Sequence, residues 1–279
     1  MGFTIQTNSL ANTAMRNLGN TEERVGSTIQ RLATGSRIVR AADDPAGLAI
    51  SDQLNATIRS IGQAQRNAQD AISAMQVFEG GTTEISNMLI RMRELSIQSA
   101  SDTVGERERK MLNLEVQELK SEVDRLAKST TYMGRQLLAG DDIRLEFQVG
   151  VGNDEEKDRI VFDPGRANVT SSGLGIDGID VTNRDDAREG LESLDTALTT
   201  VNELRAKIGS SQNRLQITIN SQGIQAENLT AAKSRIRDAD VAAETTALTK
   251  DMILRQAGVS VLAAANESPK LALQLLSRV

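Results

Sequence analysis

Residues 112–126 read LNLEVQELKSEVDRL. The apolar residues that decide this stretch are Leu112, Val116, Leu119, Val123 and Leu126. They follow one another in alternating steps of four and three residues, which is the spacing of one face of an α-helix. The stretch therefore predicts an amphipathic helix that begins after the charged turn at Gly105 and packs its apolar face against another helix.

The same spacing extends along the chain in both directions. On the N-terminal side an apolar stripe covers residues 45–100 and is weak only at Gly80 and Gly81, and on the C-terminal side another stripe covers residues 187–238. A helix over residues 45–100 would be roughly 80 Å long. We therefore expect long helices that pack antiparallel against each other.

The two chain ends carry shorter apolar stripes, each of which must be buried somewhere. We expect the two terminal helices to pair with each other. Two helices cover only part of their apolar surface, so the rest is predicted to bind further copies of the chain. A repeating contact that does not close produces a helical filament. The candidate subunit-interface residues are Leu18, Val25, Ile29, Leu32, Leu248, Met252, Val259, Leu262 and Leu275.

Residues 141–186 have a different pattern. The apolar residues that alternate with polar ones there are Ile143, Leu145, Phe147 and Val149. This alternation is typical of a strand, and residues 159–162 form a second apolar run after a glycine-rich, acidic loop. We predict a β-hairpin followed by a loop without helical period over residues 165–186.

The fold class that follows is mainly α: a long antiparallel helical bundle or coiled coil with a small β-hairpin, and with the N- and C-terminal helices paired. We expect five segments. They are the N-terminal helix (1–44), the N-terminal helices of the core (45–140), the hairpin and short variable loop (141–186), the C-terminal core helix (187–238) and the C-terminal helix (239–279).

Composition excludes several classes of function. Aromatic residues make up 2% of the chain, and there is no Trp, His or Cys. Catalysis by Ser-His-Asp or Cys-His groups, zinc and haem ligation and disulfides are therefore excluded. The doublet Asp43-Asp44 before Pro45 is interpreted as a turn and helix cap. We predict no catalytic residue, no cofactor, no metal site and, given a net charge of −6, no nucleic-acid partner.

Membrane association is not expected either. No apolar run is long enough to cross a bilayer, and the first 20 residues lack the basic and apolar regions of a secretory signal peptide. The charge is uneven, because the two ends are mildly basic and residues 141–195 are strongly acidic. The alternative of an amphipathic protein that lies on a membrane surface is disfavoured by the acidic middle and the lack of Trp.

Several motifs resemble those of bacterial flagellin. In the N-terminal half they are Ala33–Ile38, Ala41–Ser51 and Met92–Gln98; in the C-terminal half they are Ser234–Asp240, Gln256–Ala263 and Asn266–Pro269. The resemblance covers about residues 1–140 and 187–279. Only about 25 residues, 163–187, occupy the place where many flagellins carry large outer domains, so a short form is expected.

The resemblance implies a structural subunit that self-assembles into the helical filament of the bacterial flagellum and serves motility, not an enzyme. It implies that the chain is exported unfolded, without a cleaved signal peptide, by the flagellar type III apparatus and becomes extracellular. The implied partners are other copies of the chain, an export chaperone, the export apparatus, and the cap and hook-junction proteins. The alternative, a relative with the same terminal motifs, is a hook–filament junction adaptor that does not polymerise.

The resemblance also points to individual residues. The family's contact with the animal Toll-like receptor for flagellin falls on Arg91, Leu95 and Glu115. The alternative is that Arg91 and Glu115 are ordinary subunit-interface charges and that Leu95 belongs to the core. Surface glycosylation is expected in the loop over residues 168–172, at Thr170, Ser171 or Ser172.

Overall fold

The computed structural model describes the backbone of residues 8–140, 144–163 and 168–276, and side chains as far as Ser268. The fold is mainly α, with long paired helices. The helices are α1 (Ser9–Thr34), α2 (Pro45–Ser99), α3 (Glu106–Ser129), the short α4 (Glu155–Asp158), α5 (Arg184–Arg237) and α6 (Val241–Leu276). The strands are β1 (Thr131–Tyr132), β2 (Arg135–Gln136), β3 (Leu145–Gln148) and β4 (Arg159–Phe162).

The chain forms two compact units. One consists of residues 1–56 with 228–279, and the other of residues 57–227. The division falls inside α2 and α5, whereas the expected segments divide at residues 44 and 238. The reason is that the first turns of α2 and the last turns of α5 contact each other: Arg237 binds Asp52 at 3.2 Å, and Lys233 donates to the Asn55 side chain.

The core of residues 57–227 lies between α2, α3 and α5, and the prediction of antiparallel helices is confirmed. Arg93 on α2 binds Asp195 on α5 at 2.6 Å, and Glu79, earlier on α2, accepts from Gln212, later on α5. The stretch that opened the sequence analysis forms most of α3. Its Val116 and Val123 are fully buried. The large side chains that fill this core include Phe78, Ile85, Leu89, Met92, Leu194, Val201, Ile208 and Leu215.

The helix α2 continues through Gly80 and Gly81 without a break. Gly81 allows a close approach of the chain beyond α3, because a Cβ at this position would lie 2.8 Å from Leu138 Cδ1 and 2.9 Å from Thr130 Oγ1. A Cβ at Gly80 would meet no atom within 4 Å. Gly80 could therefore be replaced by a larger residue without a steric clash, whereas Gly81 could not.

The predicted hairpin is present: the second strand covers the expected residues 159–162, and the first, Leu145–Gln148, is shorter than the predicted run. Strand β3 pairs antiparallel with β4, Leu145 opposite Phe162 and Gln148 opposite Arg159. Between the strands, where the sequence suggests only a loop, α4 forms one turn whose N-cap is Asp154. The Phe162 ring packs edge-on against Phe78 of α2, with centroids 5.4 Å apart, and this contact anchors the hairpin to the core.

Two features of this region were not predicted. A second, two-residue hairpin joins β1 to β2 through Met133 (φ 49°) and Gly134 (φ 78°), the left-handed pair of a tight primed turn. The segment after the main hairpin has the non-helical backbone that the sequence predicts, but it is not a surface loop. It contributes Val169, Leu174, Ile176, Ile179 and Val181 to the core. These apolar residues lack a helical or strand period, so the pattern gave no warning of their burial.

The two glycines of α2 provide a matched test. Gly80→Ala is expected to raise the stability of the monomer by about 0.5–1 kcal/mol, because alanine restricts the unfolded chain and favours helix. Gly81→Ala is expected to lower it by about 1–3 kcal/mol, because Leu138 and Thr130 must move. Urea unfolding followed by circular dichroism measures both. Equal effects of the two substitutions would contradict the packing of Gly81 described above.

Candidate functional site

The terminal helices α1 and α6 pair antiparallel, and polar contacts fix their register. The Asn8 side chain donates to the carbonyl of Ala265 at 2.7 Å while its amide oxygen caps α1. Further along α1, Arg24 binds Asp251 at 3.3 Å and Arg31 binds Glu244 at 3.0 Å. The partner positions fall along α6 as they rise along α1, as an antiparallel pair requires.

The loops at the far end of this pair are joined as well. Gly35 ends α1 in the left-handed conformation (φ 67°), and its carbonyl accepts from the backbone N–H of Ala239 at 2.9 Å. The backbone N–H of Arg37 donates to the carbonyl of Arg237 at 2.6 Å. The Asp44 side chain caps the first turn of α2 through Gly47 N–H at 2.9 Å, as the turn interpretation of Asp43-Asp44 predicts.

The neighbouring Asp43 stabilises the turn that precedes α2. Its carboxylate accepts from the backbone N–H groups of Arg40 at 2.9 Å and Val39 at 3.0 Å. These hydrogen bonds, that from Arg40 foremost, lower the pKa of the Asp43 carboxyl below its ordinary value.

The seam between α1 and α6 is built from small and charged residues on the α6 side. Four α6 residues seven positions apart face the seam: Glu244, Asp251, Gly258 and Ala265. A Cβ at Gly258 would lie 3.3 Å from Leu18 Cδ1, so the helices approach closely there. On α1 the seam is made of Leu18, Thr21, Val25, Thr28 and Leu32, spaced by steps of three and four. The seam thus combines two ion pairs and a close backbone approach with the apolar contacts of Leu18, Val25 and Leu32.

Most large apolar side chains of the pair consequently point away from the seam. We call them the terminal apolar surface: Leu10, Met15 and Ile29 on α1, and Val241, Met252, Ile253, Leu254, Val259 and Val261 on α6, each between 43% and 66% exposed. The apolar residues of α6 are spread around the helix instead of forming one face, because Met252, Ile253 and Leu254 are consecutive and all exposed. The surface therefore needs a partner that the isolated chain does not supply.

The nine residues predicted for the subunit interface divide into three groups. Val25 is buried in the seam, and Leu18, Leu32, Leu248 and Leu262 are half-buried. Ile29, Met252 and Val259 belong to the terminal apolar surface. The side chain of Leu275 lies outside the part of the chain that the structure describes. The nine predicted residues leave out the exposed Met15, Ile253 and Val261, which are apolar and lie close in the sequence to predicted ones.

The residues of the candidate receptor contact are brought together on α2 and α3. Arg91 binds Glu115 at 2.8 Å and Glu94 at 3.2 Å, all three exposed. The hydrogen bond to Glu115, followed by that to Glu94, raises the pKa of the Arg91 guanidinium above its ordinary value. Leu95 differs from its expected place: it is 1% exposed and packs in the core, so its side chain is not available at this surface.

The candidate glycosylation loop is only partly accessible. Thr170 and Ser171 are buried, against the expectation of a surface loop, because Ser171 donates both its backbone N–H and its hydroxyl to Asp124 at 2.7 Å, and Thr170 donates to the Asn168 side chain. Ser172 is exposed. The accessible hydroxyl of the three is therefore that of Ser172.

Within residues 8–140, 144–163 and 168–276, no three acidic side chains come close enough together to hold a metal ion. In the same residues, no helix combines the length and apolar character that crossing a membrane requires.

Two family models match most of the chain. Residues 5–142 match the bacterial flagellin N-terminal helical region, and residues 191–276 match the bacterial flagellin C-terminal helical region.

Individual relatives agree with the family match. A flagellin of Halalkalibacterium halodurans is 39% identical over 98% of this chain and 99% of the relative. Flagellin FlaB1 of Treponema pallidum is 36% identical over 98% of this chain and 99% of the relative. The alignment with flagellin E of Vibrio cholerae, at 31% identity, extends over 376 positions, so this chain is a short form.

Two solved structures are similar. The crystal structure of Bacillus cereus flagellin is 31% identical, with a TM-score of 0.50 over 60% of this chain and 94% of that one. A Vibrio parahaemolyticus structure described as a flagellar hook-associated protein is 14% identical, with a TM-score of 0.58 over 70% of this chain and all of that one, and shows the shared fold alone.

Removing one cation tests the polar seam. Arg24→Ala leaves the buried Asp251 carboxylate without its guanidinium, and we expect the α1–α6 pairing to weaken by about 1–2 kcal/mol, since Arg24 is itself half-exposed to screening water. Hydrogen exchange of residues 9–34 measures the loss. Arg16→Ala is the matched control, because Arg16 contacts only Thr13 of its own helix among the described residues. Equal protection in the two variants would argue against an ion-pair seam.

Proposed function

This chain belongs to the bacterial flagellin family, and we propose that its terminal apolar surface is where one subunit of the flagellar filament binds the next. The chain is a structural subunit that self-assembles into the filament. The observation that supports this role for the surface is the exposure of nine large apolar side chains that the pairing of α1 with α6 leaves uncovered.

The arrangement suits an open polymer. If each subunit buries the terminal apolar surface against a different surface of its neighbour, the contact repeats without closing and the product is a helical filament. Large apolar side chains supply the driving force, about 25 cal/mol for each Å² removed from water. The ion pairs Arg24–Asp251 and Arg31–Glu244 fix the register of α1 against α6.

A hook–filament junction adaptor remains the second candidate. It shares the fold, as the hook-associated structure from Vibrio parahaemolyticus illustrates. The flagellins of Halalkalibacterium and Treponema match this chain nearly end to end at 36–39% identity, which favours the filament subunit.

The proposal extends to where the chain is located and to the other proteins that it binds. We propose that the chain is extracellular after export through the flagellar type III apparatus, without a cleaved signal peptide, and that it binds an export chaperone, the filament cap and the hook-junction proteins. The absence of cysteine is compatible with life outside the cell. The chain performs no catalysis in this proposal and carries no cofactor.

Two interactions at the core surface are proposed as well. Arg91 and Glu115 form an exposed, mutually oriented pair that an animal Toll-like receptor could bind in the monomer. The buried Leu95 packs in the core below this pair and supports it.

Glycosylation is proposed at Ser172, whose hydroxyl is the accessible one of Thr170, Ser171 and Ser172. An intact mass equal to the sequence mass would eliminate the glycosylation.

Polymerisation tests the terminal apolar surface. Val259→Asp leaves the monomer stable within about 0.5 kcal/mol, because the side chain is half-exposed. In the filament an unpaired carboxylate would be buried at a cost of several kcal/mol, so the critical concentration is expected to rise at least about 100-fold. Sedimentation and negative-stain microscopy measure it, and Val259→Ile, which keeps the apolar surface, polymerises normally. Filaments of Val259→Asp at the wild-type concentration would refute the proposal.

Receptor binding has its own test. Arg91→Ala in the monomer is expected to raise the concentration that half-activates a receptor-reporter cell line by about tenfold, since the substitution removes the exposed guanidinium and releases Glu115. Arg66→Ala, an exposed arginine of the same helix that contacts Gln63, serves as control. A response that is unchanged by Arg91→Ala counts against the receptor contact.

A further inference from the structure

Methionine sulfur is the main oxidisable group of this chain. The sequence has eight Met and one Tyr, and it contains no Cys, Trp or His, which are the other side chains that are readily oxidised. Hydroperoxides convert the methionine thioether to a sulfoxide. A sulfur buried in a packed core is shielded from a dissolved oxidant. The places of the methionines therefore decide where oxidation acts on this protein.

The methionines of the described residues divide by exposure. Met75 and Met92 are fully buried in the core of residues 57–227, and Met88 packs against that core. Four others are exposed: Met15 (66%), Met111 (60%), Met133 (84%) and Met252 (48%). A hydroperoxide in solution reaches these four thioethers in the free chain and is kept from the buried ones.

Two of the four exposed methionines belong to the terminal apolar surface. Met15 lies on α1 and Met252 on α6. The other two lie outside this surface, Met111 on α3 and Met133 in the turn between β1 and β2. One pair of accessible sulfurs therefore coincides with the surface through which one subunit is proposed to bind the next.

We propose that Met15 and Met252 are oxidation sites for hydroperoxides, and that their sulfoxides keep a free chain out of the filament. The proposal rests on the proposed function, because it requires the next subunit to cover the terminal apolar surface. In the free chain both sulfurs are open to the oxidant. In the filament a neighbour covers them. Oxidation and assembly therefore compete for the same two side chains.

The modification is a two-electron oxygen transfer. The thioether sulfur attacks one oxygen of the hydroperoxide, an S–O bond forms as the O–O bond breaks, and the proton of the attacked oxygen moves to the leaving oxygen. With hydrogen peroxide the products are methionine sulfoxide and water, so the sulfur is oxidised and the peroxide is reduced. The sulfoxide is polar, whereas the thioether is apolar. Burying it against an apolar neighbour leaves its oxygen without a hydrogen-bond donor, which opposes assembly.

Controlled oxidation of the monomer tests the proposal. Monomer is treated with hydrogen peroxide until peptide mass spectrometry shows both Met15 and Met252 as sulfoxides, and the peroxide is removed. The critical concentration for polymerisation, measured by sedimentation, is expected to rise at least about tenfold. Incubation with the two methionine sulfoxide reductases and dithiothreitol is expected to restore the original value. Since the chain has no cysteine, the reductant has no disulfide of the chain to act on.

Leucine variants identify the sulfurs that are responsible. Leucine keeps the apolar volume of methionine and cannot form a sulfoxide. The double variant Met15→Leu and Met252→Leu is expected to polymerise normally before and after peroxide treatment. Met133→Leu, the same change outside the terminal apolar surface, is expected to polymerise before treatment and to be blocked after it, as the wild type is. A double variant that peroxide blocks as strongly as the wild type would overturn the proposal.

Protection within the polymer is an independent readout. Sulfoxide formation at Met15 and Met252 is expected to be at least about tenfold slower in wild-type filaments than in monomers. Equal rates in the two forms overturn the proposal, and so does an oxidised chain that polymerises at the original critical concentration. Failure of the proposed function looks different: the untreated wild type forms no filament, or Val259→Asp polymerises like the wild type.

Discussion

The seam between α1 and α6 determines which apolar side chains of the terminal helices remain exposed for assembly. At the heptad positions that face α1, α6 places two carboxylates, a glycine and an alanine. Arg24 and Arg31 match the carboxylates, and the glycine admits Leu18. The pairing is therefore specific in register, and it covers apolar side chains only in part: Val25 is buried, whereas Leu18 and Leu262 are half-buried. The apolar residues of α6 that lie outside the seam stay uncovered in the single chain.

In the unit of residues 57–227, by contrast, many large apolar side chains are covered within the chain. Its helices face each other with large side chains, among them Phe78, Met92 and Ile208, and the core is closed within one chain. With few aromatic residues, packing depends on close approaches such as that of Gly81 to Leu138, and on the edge-on ring pair of Phe78 and Phe162. Stability of the monomer thus comes mainly from this unit, while the terminal pair retains apolar surface for assembly.

Periodicity predicted the helices because one residue in every three or four must face a neighbouring helix. Val116 and Val123, which lie seven residues apart, are both buried in this way. The hairpin was predictable from alternation around Phe147. The burial of the five apolar residues between Val169 and Val181 was not, since irregular backbone leaves no period in the sequence. The division of the terminal stripe was also missed: a pattern shows that Ile29 and Val25 are both apolar, but only the partner helix decides which of them is covered. Leu95 illustrates the same limit at the receptor surface, where a motif position is buried beneath the residues that reach solvent.

An open polymer requires that the terminal apolar surface bind a different surface of the next subunit. A flat apolar surface that met its own copy would close into a dimer, which would end growth. On α6 the apolar residues Met252, Ile253, Leu254 and Val259 are interrupted by the exposed Lys250 and Arg255. Because a charged side chain loses its hydration when it is buried without a partner, the neighbouring subunit must either leave these two cations in water or supply acceptors for them. In the proposed filament the apolar side chains therefore supply the driving force, and the cations among them restrict which surface can cover them.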